Sequence, residues 1–217
     1  LLPVPARPGD VPDPSASSGH GPLKRYPPLY QIATGAGGSL SPPERISLAD
    51  RADEIAADLV AFADLDTSIH RVLNRLGVLM GADRAYLFQF QPDRELMNNT
   101  HEWCVPGVEP RKENLQNLPC SRFPWWMEKL KKGDNILIPD VEQMPAEAKE
   151  EKEILKMQEI RSVVVVPIYI LEELGGFLGC DDITKPRNWQ EEDIRGLRIA
   201  GDIIGAVLGF RRQNLSR

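Results

Sequence analysis

The sequence predicts an α+β domain in which antiparallel strand pairs are interspersed with amphipathic helices. Three observations carry that expectation. Residues 161–182 (RSVVVVPIYI, LEELGG, FLGCDD) read as strand, turn and strand. Apolar stripes at helical spacing recur ahead of that hairpin, and a long helix-forming stretch follows it. In the first strand of the hairpin Val163, Val165 and Tyr169 share one face, while Val164, Val166, Ile168 and Ile170 share the other. Both faces are apolar, so both should be covered. Pro167 has no amide hydrogen to donate and predicts a local break in pairing. The turn is expected over Glu172 to Gly176, with Gly175 and Gly176 free to take positive φ.

Composition bounds the answer. The 217 residues, 41% of them hydrophobic, suffice for one domain of ordinary size plus extensions. A net charge of -6 without a dominant basic patch argues against nucleic acid as the main partner. No apolar run approaches the roughly 20 residues that span a bilayer, and LLPVPARPGD lacks the layout of a signal peptide. The chain opens on Leu1, which suggests a fragment or a processed chain. Three widely spaced cysteines make no disulfide framework, so a reducing, cytoplasmic location is expected.

Residues 1–44 are rich in Pro, Gly and Ser and read as a disordered tail or linker, with Lys24, Arg25, Tyr26 and Tyr30 as a minor docking motif. The domain is expected over residues 45–212, with residues 213–217 beginning a linker to an effector. Its first helix starts at Ser47 and carries Leu48, Ala52, Ile55, Ala56 and Leu59 on one face. Asp66 or Thr67 caps the next, whose stripe is Ile69, Val72, Leu73, Leu76 and Met80 and which Gly81 ends. Arg84–Phe90 alternates as a strand, with Ala85, Leu87 and Gln89 opposed to Tyr86, Phe88 and Phe90. Residues 96–105 form its partner after a turn at Pro92-Asp93. Residues 108–119 have no clear period. A short helix over Trp125 to Lys131 holds Pro124 in its first turn. A strand over 135–138 and a charged helix over 146–158 follow; mixed charge pairs give that helix little support, and its Glu and Lys residues read as a solvated face. The final helix runs from about Gln190 into Arg212 and carries Gly201, Gly205 and Gly209 on one face, for packing against the sheet or for a dimer seam.

The segments ADRAYLF, NNTHEWC, PWW with MEKL, IRSVVVVPI, GFLGCDD and RNWQEEDI, in this order, resemble a GAF domain of the kind found in bacterial sensor histidine kinases and diguanylate-cyclase or PAS signalling proteins. The resemblance covers roughly residues 64–212. It implies a six-stranded antiparallel sheet with helices on one face, a loop-covered pocket on the other, and flanking terminal helices. It also implies a non-enzymatic sensory domain of a two-component system. Such a domain would bind a small molecule, dimerise through its terminal helices and bias a kinase or cyclase beyond Arg217.

The pocket-lining candidates are His101, Trp103, Cys104, Phe123, Trp125, Trp126 and Asp181. His101, Glu102, Trp103 and Cys104 form the most suggestive cluster, but a tetrahedral metal site needs further ligands and no metal is expected. Phe123, Trp125 and Trp126 suit an aromatic wall for a flat or cationic ligand. The Asn-Lys-x-x-x-Phe signature of cyclic-nucleotide GAF domains is missing after Phe177, and the Cys-then-His order of bilin-binding phytochromes is absent. Asp181-Asp182 and Glu191-Glu192 point apart and make no catalytic dyad. No cofactor can be named. Two alternatives are a dimerisation module without a ligand and a thiol-based methionine sulfoxide reductase using Cys104, Cys120 and Cys180.

Overall fold

The computed structural model describes residues 64–215 and residues 56–57. The tail expected over residues 1–44 and nearly all of the helix expected from Ser47 lie outside the described residues; residues 56–57 are helical.

Helix α1 spans Leu65–Met80. Its cap is Asp64, ahead of the two candidates read from sequence, because the Asp64 carboxylate reaches the free amides of both Asp66 and Thr67. All five residues of the expected stripe are buried. Gly81 closes the helix in the left-handed conformation, at φ 61°.

Strands β1 (Arg84–Phe90), β2 (Leu96–Cys104), β3 (Leu118–Pro119), β4 (Ile136–Ile138), β5 (Ser162–Ile170) and β6 (Glu173–Asp182) form one sheet in the order β3-β2-β1-β6-β5-β4. Every pairing is antiparallel. Helix α2 spans Pro124–Lys131, α3 spans Lys149–Met157 and α4 spans Glu191–Leu215. Single 3-10 turns at Val141–Gln143 and Ala146–Ala148 lead into α3, so the expected helix begins three residues late.

The sheet separates two cores. Ala85, Leu87, Val164, Val166, Ile168, Ile170, Leu178 and Cys180 pack under α1 and α4. Tyr86, Phe88, Phe90, Val163, Val165 and Phe177 face the other way, towards α2, α3 and the loops. The two apolar faces of β5 are therefore each covered, except at Tyr169, which is exposed. Helices lie on both sides, however, since α2 and α3 belong to the layer that resemblance assigned to loops.

The hairpin turns differently from the expectation. Leu171 and Glu172 carry the positive φ values, 53° and 67°, and form a two-residue connection. Gly175 and Gly176 lie inside β6, where a Cβ on Gly176 would stand 2.0 Å from the Phe88 carbonyl oxygen. They are there for close approach between strands. Pro167 stays in register opposite Phe177, and the irregularity falls one step later, between Ile168 and Tyr169.

The glycine steps of α4 face β5. A Cβ on Gly205 would meet the Tyr169 carbonyl oxygen at 2.2 Å, so α4 rides on the strand backbone itself. That face is occupied within the chain and cannot also be a dimer seam. Trp189, buried at the start of α4, packs in the same core, with the Arg187 guanidinium 4.2 Å above its ring.

Candidate ligand-binding site

Between the second face of the sheet and its cover lies a cavity of about 60 Å³. Tyr86, Phe88 and Phe177 form its floor, Phe123 and Trp126 one wall, and Leu115 and Leu118 part of the roof. Phe88 and Phe177 stack with ring centroids 4.7 Å apart, and Trp126 meets Phe177 edge-on at 6.0 Å.

Four ionisable side chains interrupt this aromatic lining. At the end of the floor the Arg84 guanidinium donates to Asp181 at 2.9 Å, with both side chains 2% exposed. Arg84 also donates to the Gln158 carbonyl oxygen, which ties the end of α3 to β1. Glu102 accepts from the backbone amides of Arg111 and Lys112, at 2.7 and 2.8 Å, and so holds the roof loop onto β2. Glu151, 1% exposed, reaches from the first turn of α3 to the Trp126 amide at 3.2 Å. Phe123, the residue before α2, offers no side-chain cap, and Glu151 takes that place from a neighbouring helix. Among the described residues, Glu151 Oε2 and Trp126 Nε1 are buried without a hydrogen-bond partner.

This order of strands, with its pocket and its last helix laid back on the sheet, is shared with proteins of known family. Residues 64–208 match the family model of the GAF domain. The chain belongs to the GAF domain family. By family it is a sensory signalling domain. Two curated relatives are the methanogenesis regulatory histidine kinase FilI of Methanothrix harundinacea, 34% identical over 66% of this chain, and the circadian input-output histidine kinase CikA of Thermosynechococcus vestitus, 25% identical over 58%. The chain spans only 16% and 18% of their lengths. Among solved structures, the phycocyanobilin-bound GAF domain of a cyanobacterial phytochrome covers 78% of the chain and 98% of its own length at 20% identity and a TM-score of 0.66. A photoproduct-state GAF domain from Synechocystis sp. PCC6803 is 25% identical, covers 70% of this chain and 98% of its own, and has a TM-score of 0.59.

The seven residues singled out from sequence separate in this GAF domain. Phe123, Trp126 and Asp181 line the cavity. Cys104 shares their side of the sheet through its pairing with Arg84, but it is not part of the lining. Trp125 is half-buried against the same core, outside the lining, with Lys129 Nζ 5.7 Å from its ring centroid.

His101 and Trp103 lie on the opposite face. Register decides this: they pair with Leu87 and Ala85, the helix-facing positions of β1. Trp103 packs over Gly77 of α1, where a Cβ would come 1.9 Å from its ring. His101 bridges Thr100 and Asp66, with Nε2 3.3 Å from the carboxylate. Burial pushes the imidazole below its ordinary value against the pull of Asp66.

Arg84, Tyr86, Phe88, Glu151 and Phe177 are lining residues that the sequence reading left out, and Glu102, noted there only within the His101–Cys104 cluster, is another. Glu151 left a trace in the sequence. It falls three residues after Ala148 and four before Leu155, on the buried side of an otherwise charged stretch. Burial drives the Asp181 carboxyl up to about 7, against the lowering pull of Arg84. Asp182 turns to the other side, its Oδ1 accepting from the amides of Thr184 and Lys185.

The thiols do not converge. Cys180 lies in the helix-side core and Cys120 in the pocket-side core. Burial pushes all three up, Cys104 to about 12, which withholds the thiolate that redox chemistry needs. The reductase alternative has no support here. Among the described residues no group of three or more His, Cys, Asp or Glu could hold a metal ion, and no helix is long and apolar enough to cross a membrane.

Proposed function

We propose that this GAF domain senses a small molecule in the cavity between β1, β6, α2 and α3, and relays occupancy through α4 to an effector in the same protein. The observation that carries the reading is the ionic end of an otherwise aromatic cavity. A buried pair such as Arg84–Asp181 is often matched or bettered in stability by apolar residues of similar volume. Retaining it at a pocket wall, beside an unpartnered carboxylate oxygen and indole N–H, suits a recognition surface better than a stabilising core. The bilins named for neighbouring structures do not suit this chain. A linear tetrapyrrole far exceeds about 60 Å³, and the Cys-then-His order is missing.

The route to the effector follows contacts. The cavity floor includes β6, which pairs with β5 along its length, and α4 lies on β5. A shift at Phe177 or Asp181 therefore reaches α4 through one intervening strand. The histidine-kinase relatives favour a kinase as the effector, and the free thiols of Cys104, Cys120 and Cys180 suit a cytoplasmic setting. The domain acts as a homodimer through its terminal helices. The outer face of α4 supports this, since half-buried Ile199 and exposed Ala206 and Phe210 recur at helical spacing and Phe210 is 65% exposed among the described residues.

Native mass spectrometry of freshly purified protein tests both halves. A dimer carrying a non-covalent small molecule per subunit is the expected result. A ligand-free dimer would leave only the dimerisation module, and a ligand-free monomer would contradict both parts.

A further inference from the structure

We infer that the cavity takes a small alkylammonium ion, with its N–H directed at Glu151 Oε2 and its alkyl groups against the Tyr86, Phe88, Trp126 and Phe177 rings. The inference rests on the sensing reading above and adds the chemical class of the ligand.

Charge is the first argument. Three carboxyl groups, Glu102, Glu151 and Asp181, line the cavity against the single cation Arg84. Arg84 is matched to Asp181 and to the Gln158 carbonyl oxygen. Glu102 is taken up by the amides of Arg111 and Lys112. Of these three carboxyl groups Glu151, 1% exposed, is the one with a buried oxygen, Oε2, that has no hydrogen-bond partner among the described residues. A buried carboxylate oxygen in that state calls for a donor, and a cationic donor makes the stronger bond.

The walls supply the second argument. Aromatic faces attract cations through their quadrupoles, and small ammonium ions are the ligands such cages hold best. Tyr86 and Phe88 meet edge to face at 5.8 Å, and Phe88 and Phe177 stack, so the rings present both faces and edges to one space. Size is the third. About 60 Å³ leaves room for roughly four to six water-sized atoms, which fits an ion of four or five non-hydrogen atoms and excludes nucleotides and bilins.

The test uses three probes of four non-hydrogen atoms each: isopropylammonium, 2-propanol and acetate. Each is titrated into the purified chain while the indole N–H resonance of Trp126 is followed by NMR. The expected result is saturable movement of that resonance with isopropylammonium, at least tenfold weaker response to 2-propanol, and none to acetate. Glu151→Gln keeps an acceptor for the Trp126 amide while removing the charge, and should weaken isopropylammonium binding at least tenfold. Tighter binding of acetate or 2-propanol would overturn the cation assignment and leave the sensing reading standing. If none of the three binds but the native protein carries another small molecule, only this inference falls. If it carries none, the sensing reading falls with it.

Discussion

The two faces of this sheet are built for different purposes, although β5 contributes to both. Under α1 and α4 the core is aliphatic, and contact is close enough for the Gly205 backbone to rest against that of Tyr169. On the other face the core is aromatic, and Arg84, Glu102, Glu151 and Asp181 are set into its lining. Close apolar packing leaves a side chain few alternatives. Buried polar groups with one unanswered atom leave room for a ligand to change the balance. On the proposed function, the helix side is scaffold and output, and the cavity side is where a signal enters.

Several substitutions would break or sharpen that contrast. The largest effect is expected from Asp181→Ala, which strands the Arg84 guanidinium in the interior. Removing one partner of a buried pair costs about 3–5 kcal/mol, readable by urea denaturation. Replacing Arg84 and Asp181 together with Met and Leu should recover much of that loss and leave the cavity without its ionic end. On the helix side, Gly205→Ala adds a methyl 2.2 Å from a backbone oxygen. It should destabilise by roughly 2 kcal/mol or more despite alanine's better helix propensity. Gly201→Ala meets nothing closer than 3.5 Å and should instead stabilise by up to about 1 kcal/mol. If the two behaved alike, the close approach of α4 to β5 would be disproved.

The pH dependence of stability reports on the cavity side. The folded state holds the Asp181 proton up to about 7, whereas an unfolded Asp releases it near 3.8. Between those values the folded state binds more protons, so this carboxyl's contribution is complete below about 3.8 and is lost as the pH rises through about 7. Denaturation midpoints should fall over that window. In Asp181→Asn this part of the slope should be missing, and an unchanged slope would assign it elsewhere. A smaller effect is expected at Cys104, whose thiol is pushed up to about 12 and should alkylate far more slowly at pH 8 than a free thiol. The smallest is Phe210→Ser on the outer face of α4, within about 0.5 kcal/mol for folding but lowering dimer affinity in sedimentation.

Much of the scaffold was legible because periodicity reports burial. The α1 stripe, the alternation in β1 and the two-faced β5 follow directly from spacing. The site was less legible because it depends on register, which spacing within one strand does not fix. His101 and Trp103 look like pocket residues until β2 is paired with β1, and that pairing turns them to α1. Arg84 and Asp181 are 97 positions apart, and only the β1–β6 pairing sets them opposite one another. Glu151 was hidden among the charges of α3, although its place on the buried side of the helix was visible. The turn at Leu171-Glu172 was misplaced because the neighbouring glycines suggested positive φ, while their use was strand contact.

Amide hydrogen exchange of the unliganded protein tests the difference between the faces most directly. Opening free energies should be highest in β5, β6 and the inner face of α4. Residues 105–117 and 139–148, which lie on the cavity side of the sheet without long regular elements, should exchange at least a hundredfold faster. Uniform protection on both sides of the sheet, or faster exchange in α4 than in the cavity cover, would contradict the division into scaffold and sensing face.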